Sequence, residues 1–174
     1  MLTINHLTGF GVVAATAPPF LLVWNPADKS ATIALSNADK TAAATSTGWS
    51  GVRGLHGFTA GGGGDPLNYS VVVNASGGYI DFGLATSAAA LAGSGEGLVY
   101  YRGVNGLRSV NGVESAYAAT FGAGDAIRAQ IEPAAGQVRF FKNNADLGVA
   151  ATGLVGQWFP WVRMYNAGDS VTAV

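Results

Sequence analysis

The stretch from Phe121 to Leu154 constrains the fold more than any other part of the chain. Two short alternating runs, Ile127–Ile131 and Gln137–Lys142, are separated by Pro133-Ala-Ala-Gly136. Proline fixes φ for a turn and glycine supplies the left-handed residue that closes one. A second break at Asn143-Asn144 leads into Asp146–Ala150. Asparagine tolerates the positive φ that a tight hairpin demands, so this break also reads as a turn. Three strands joined by turns form a β-meander, a sheet unit that needs no helical layer.

The same rhythm extends outward. Glycine, at 26 of 174 residues, recurs between runs rich in Val, Ile, Tyr and Phe. Short strands are expected near Thr3–Leu7, Phe20–Val23, Thr32–Ser36, Thr41–Thr45, Val52–Arg53, Tyr69–Asn74, Tyr79–Ala85 and Leu98–Tyr101. Phe159–Met164 and Ser170–Ala173 follow the meander. Thr86–Ala92 is the one helix-compatible stretch, too short to stand alone and expected to be a turn or a single helical turn. Regularly spaced short strands with glycine punctuation predict an all-β, two-sheet antiparallel sandwich. Phe140, Ile127, Ile131 and Val162 are its expected inter-sheet core.

Charge narrows the function. Charged residues are 11% of the chain with a net charge of −1, less than half the roughly 25% usual for soluble domains. That gives no electrostatic footprint for nucleic acid or an anionic membrane. The apolar run Phe10–Trp24 is broken by Pro18-Pro19 and is short for a membrane span. Weak charge also favours association, which suggests a homo-oligomer or a surface covered by neighbouring subunits. An Ala-rich protein from a GC-rich genome would have the same composition. Without cysteine there is no disulfide framework or thiolate chemistry. His6 and His56 have no carboxylate or second histidine beside them. Asp125 and Glu132 sit at opposite ends of one run, unlike the facing carboxylate pair of a glycanase. A non-enzymatic protein with no cofactor and no metal is therefore expected.

Several blocks, taken in order, carry a family resemblance. They are Trp24-Asn-Pro, Gly48-Trp49-Ser-Gly51-Val-Arg53-Gly54, Gly77-Gly78-Tyr79-Ile-Asp-Phe-Gly83 and Tyr100-Tyr101-Arg-Gly-Val-Asn105-Gly106 with Asn111-Gly112. The last are Gly124-Asp125-Ala-Ile127, Gly136-Gln-Val-Arg-Phe140-Phe-Lys-Asn143, Leu147–Ala150 and Trp158-Phe-Pro160. Together they resemble a SPRY (B30.2/SPRY-like) domain over residues 20–174, with residues 1–19 as a docking arm or first strand. The resemblance implies a concanavalin A-like jelly roll that binds protein partners through loops at one end. The chain departs from the family where Asp65-Pro-Leu-Asn-Tyr69-Ser-Val-Val-Val73 replaces the more usual Tyr-Trp-Glu-Val strand. An Ala/Gly-rich, Lys-poor, Cys-free chain resembles solitary phage-encoded SPRY-like virion proteins. The expected role is accordingly a capsid decoration or fibre component that binds a capsid or tail protein in the virion. A cytoplasmic protein is expected if the chain is not phage-encoded.

Aromatic residues dominate interface hot spots, so the candidate partner surface is the glycine-rich region holding Tyr100, Tyr101, Arg102, Asn105 and Arg108. The competing reading packs one tyrosine inward by strand alternation and leaves the rest as ordinary loop residues. Trp158 joins the candidates because Trp158 and Trp161 fall on opposite faces of one strand, which predicts that one of them is partly exposed. Trp24 and Trp49 are expected in the core. The alternative function is a carbohydrate-binding module using Tyr100, Tyr101 or Trp158 as a stacking platform for host-surface glycans.

Overall fold

The computed structural model describes residues 20–174. The expected strand Thr3–Leu7, the arm 1–19 and His6 lie outside the described residues. Alternation along each run sends every second side chain into a shared core, and the described residues form fifteen strands, numbered here in chain order.

The first sheet runs β1 (Trp24–Lys29), β4 (Ser50–Gly54), β14 (Gly156–Met164), β7 (Ile80–Ala85), β8 (Leu98–Arg102), β9 (Leu107–Val110), β10 (Val113–Ala116), with β5 (Phe58–Ala60) also paired to β14. The second runs β13 (Ala145–Ala151), β12 (Gln137–Lys142), β11 (Ala126–Glu132), β6 (Leu67–Ala75), β15 (Ser170–Ala173), β3 (Thr41–Ala44), β2 (Ile33–Ser36). Neighbours are antiparallel throughout, giving an all-β sandwich. The meander of the opening segment is β11–β12–β13, with Asn143 and Asn144 at φ 50° and 67° in the turn.

The two sheets close on one core. Tyr69, Val71 and Val73 of β6 and Ile127, Ala129 and Ile131 of β11 meet Phe82 and Val162 from the first sheet, with Phe140 of β12 among them. The four residues expected to fill this space do so. Strand β1 begins only at Trp24, so Phe20–Val23 is not a strand. Strands β5, β9 and β10 went unread because each is very short, and β10 is exposed along its whole length and has no buried alternation to reveal it.

The outer face of the first sheet is also buried, which alternation alone does not foresee. The β7–β8 connection, residues 86–97, folds back over it as a strap of turns, and Thr86–Ala92 is part of this strap. Ala85, Ala89, Leu98, Tyr100 and Trp161 form a second apolar cluster beneath it. Polar side chains from the sheet hold the strap by its carbonyls. Trp161 donates Nε1–H to Leu91 O (3.0 Å), and Arg163 donates to Ala92 O (3.2 Å) and Gly93 O (2.6 Å). Arg53 donates to Thr86 O and Ala89 O while pairing with Asp28. The strap approaches so closely that a Cβ on Gly51 would lie 2.1 Å from Leu91 O, so this position tolerates only glycine.

At the centre of this face Asp81 is wholly buried between two arginines. Its Oδ2 accepts from Arg163 (2.6 and 2.8 Å), and its Oδ1 accepts from Arg102 Nε (3.1 Å). Arg102 in turn reaches Glu114 (2.7 Å) and the Tyr100 hydroxyl (2.9 Å). Burial pushes the Asp81 carboxyl above the ordinary carboxylate range, and Arg163 and Arg102 pull it back down. Removing one partner of a buried pair leaves a desolvated charge behind and costs about 3–5 kcal/mol. Asp81→Asn should lose stability of that order, read as a lowered urea midpoint at unchanged m-value.

Candidate functional site

The structure places the residues singled out in the sequence mostly inside the protein. Tyr100 and Tyr101 are 1% and 0% exposed. Tyr100 lies under the strap against Trp161, whereas Tyr101 faces the inter-sheet core and donates its hydroxyl to Ala119 O. Burial raises the Tyr101 phenol to about 12. Arg102 is committed to Asp81 and Glu114. Arg108 faces inward and bridges the sheets, donating to Val149 O (2.8 Å) and Ala150 O (2.9 Å) of β13 beside the Tyr117 ring. Asn105 is exposed in the β8–β9 turn, where its Oδ1 accepts the Leu107 N–H.

Trp158 is 4% exposed and Trp161 wholly buried, so neither is the partly exposed tryptophan that was expected. They do face opposite ways, Trp158 into the inter-sheet core and Trp161 outward, but the strap covers the outward one. With Tyr100, Tyr101 and Trp158 all buried, none can stack on a sugar ring. The tryptophan that is not fully buried is Trp49, which was expected in the core with Trp24 and instead sits partly buried at the rim.

Trp49 belongs to an aromatic cluster that the sheet register assembles. Met164 of β14 pairs with Ser50 of β4 and with Ile80 of β7. One residue beyond that row come Trp49, Tyr165 and Tyr79, tied by Gly48 N–H to Tyr165 O (2.7 Å) and Tyr165 N–H to Tyr79 O (3.1 Å). Each lies two residues from a member of the Gly51–Arg163–Asp81 row, so all three share its face of the sheet. They emerge just past the strap. Their ring centroids are 5.3 Å (Trp49–Tyr165), 5.8 Å (Tyr79–Tyr165) and 6.2 Å (Trp49–Tyr79) apart, inclined edge-to-face or tilted. Tyr79 is 45% exposed and Tyr165 37%, and with Trp49 they line a cavity of about 280 Å³.

Two buried charged groups support the cluster. The Arg163 guanidinium lies 3.9 Å from the Trp49 ring centroid, packed against the indole while still paired with Asp81. Asp169, 2% exposed, accepts the Gly77 N–H (2.6 Å) and the Asn166 N–H (2.9 Å), holding together the loops that carry Tyr79 and Tyr165. Sequence reasoning missed this site because it assigned Trp49 to the core and sought the partner surface in the glycine-rich region of Tyr100–Arg108. The signal was the i, i+2 spacing Trp49-x-Gly51, Tyr79-x-Asp81 and Arg163-x-Tyr165.

A second cavity, about 340 Å³, lies among Phe58, Thr59, Gly63, Gly64, Asp65, Leu67 and Pro133, at the opposite end of the sandwich. Its aromatic ring, Phe58, is buried in the core, so it offers less exposed aromatic surface than the Trp49 cluster. Among the described residues, no group of three or more His, Cys, Asp or Glu is placed to hold a metal ion.

The fold is a two-sheet antiparallel sandwich with one outer face covered by a strap. The model of the SPRY domain family matches residues 67–174, and the chain belongs to that family. SPRY domains are generally protein-interaction modules, typically without enzymatic activity. The chain is similar to the SPRY domain of human HERC1 at 18% identity, over 86% of this chain and 96% of that one, with a TM-score of 0.75. It is also similar to a human SPRY domain (20% identity, 82% and 94% covered, TM-score 0.69) and to the TRIM65 PSpry domain (15%, 89% and 92%, 0.70). At these identities the likeness is one of fold. No curated protein matches the chain.

Exposure of Trp49 is directly measurable. Acrylamide should quench one emitting class strongly, and Trp49→Phe should remove it and leave the emission of the buried tryptophans, blue-shifted and poorly quenched.

Proposed function

We propose that this domain is a non-enzymatic protein-binding module whose partner surface is the end of the sandwich carrying Trp49, Tyr79 and Tyr165. One observation carries the reading: Tyr79 and Tyr165 stay exposed beside the partly buried Trp49, and the three rings line one cavity. Buried aromatic anchors dominate binding energy at protein interfaces. These three are fixed in place by strand pairing and by Asp169, so little conformational entropy is lost when a partner covers them. Asn105 and Val104 extend the surface, since Val104 packs beside Gly78 in the adjoining turn.

In its finer form the partner is a capsid or tail protein of a phage particle, and the chain is a virion accessory protein docked on a repeating lattice. What supports this is composition: an Ala/Gly-rich, Cys-free chain with only 11% charged residues has little to repel neighbours.

The test is affinity purification from the source, with identification of what stays bound. Tyr79→Ala and Tyr165→Ala should each weaken that complex about 30-fold, the scale of a hot-spot truncation. Val155→Asp, an exposed change at the opposite end, should leave it intact. Binding that is lost with Val155→Asp and indifferent to both tyrosines would overturn the assignment. For the finer form, the protein should co-sediment with particles, and its recovery only in the particle-free fraction would reject that role.

A further inference from the structure

The aromatic end also has an electrostatic preference, and it follows from charges that are not on the surface. Asp169 is buried beneath the loops carrying Tyr79 and Tyr165, and its carboxylate is met only by amide N–H groups. Among the described residues it has no Lys, Arg or His nitrogen within ion-pair distance. A full negative charge therefore stands behind this end of the sandwich without a cation to match it. In front of it are three aromatic rings, whose faces carry the negative lobes of their quadrupoles and attract a cation placed over them. Both features favour the same sign of ligand.

Among the described residues, Arg163 is the cation in contact with the cluster, and it is already paired with Asp81. Its guanidinium is paired with Asp81 Oδ2 at 2.6 Å and donates to two strap carbonyls. It also packs against the Trp49 indole, so the two exposed tyrosine rings are the main surface a ligand meets. The cavity of about 280 Å³ suits the end of one side chain and is too small for a folded element.

We propose that the Trp49–Tyr79–Tyr165 cavity takes a cationic side chain, a lysine or arginine presented by an extended segment of the partner protein. The inference rests on the reading of this end as the partner surface and adds the chemistry of what enters it. Asp169 acts as a positioning residue that also supplies the field.

The probe is a Gly-Ser peptide with one central trimethyl-lysine, compared with the same peptide in which carbon replaces the charged nitrogen. The two are matched in shape and differ in charge. Binding to the intact chain is followed by NMR shifts of the Trp49 indole N–H. The cationic peptide should bind at least about tenfold more tightly than its neutral isostere, the scale of one desolvated cation–π contact. Tyr165→Leu keeps apolar bulk but removes one ring, and should reduce that preference several-fold while sparing the weak neutral binding. Asp169→Asn should narrow it, and raising the salt concentration should do the same without any change in sequence. Equal affinity for the two peptides, or a preference for the cation that Tyr165→Leu leaves undiminished, would overturn the proposal. Equal affinity would still leave the aromatic end as a partner surface, which falls only if the tyrosine-to-alanine variants keep their partner.

Discussion

Asp81 is buried completely at the middle of a β-sheet, and much of the outer face of that sheet is arranged around the cost of keeping it there. A carboxylate in that position needs cations and donors within bonding distance. Arg163 and Arg102 supply them, and each brings a further consequence. Arg102 fixes the edge hairpin β9–β10 through Glu114. Arg163 has donors to spare after meeting Asp81, and it uses them to hold the strap by the Ala92 and Gly93 carbonyls. The strap then seals Trp161 and Tyr100, giving the sheet a second apolar layer. Hydrogen bonds to charged groups are worth about 1.5–3 kcal/mol each, enough to fix an irregular connection that has little apolar surface of its own.

The same arginine connects scaffold to surface. Its guanidinium packs on the Trp49 indole, so the charge that anchors the strap also sets the aromatic ring at the partner end. Asp169 does the equivalent for Tyr79 and Tyr165 from the loop side. The three rings are thus held by buried charge and strand register, and a partner would meet a surface already formed.

The inter-sheet core was readable because a sandwich core is a period-two pattern: Ile127, Ile131, Phe140 and Val162 are where alternation puts them. The turn at Asn143-Asn144 was equally plain, since few residues accept its backbone. The outer layer was not readable. Whether Tyr100 or Trp161 meets water depends on where residues 86–97 lie, and nothing in Ser-Ala-Ala-Ala-Leu-Ala declares that it covers a sheet. Arg102 and Arg108 looked like surface groups because arginine usually is one, yet the first answers a buried carboxylate and the second spans the two sheets. Sequence reasoning placed the aromatic site in Tyr100–Asn111. The exposed cluster comes from three segments far apart in the chain, and only the pairing of β4, β14 and β7 brings them together.

Arg163, held between Asp81 and Trp49, joins the buried network to the aromatic end. The most direct measurement is the NMR signal of the Arg163 Nε–H in the intact chain. A resolved resonance is expected, protected from solvent exchange, with nuclear Overhauser contacts to the Trp49 indole ring. A rapidly exchanging Nε–H at the random-coil shift, without contacts to Trp49, would contradict it.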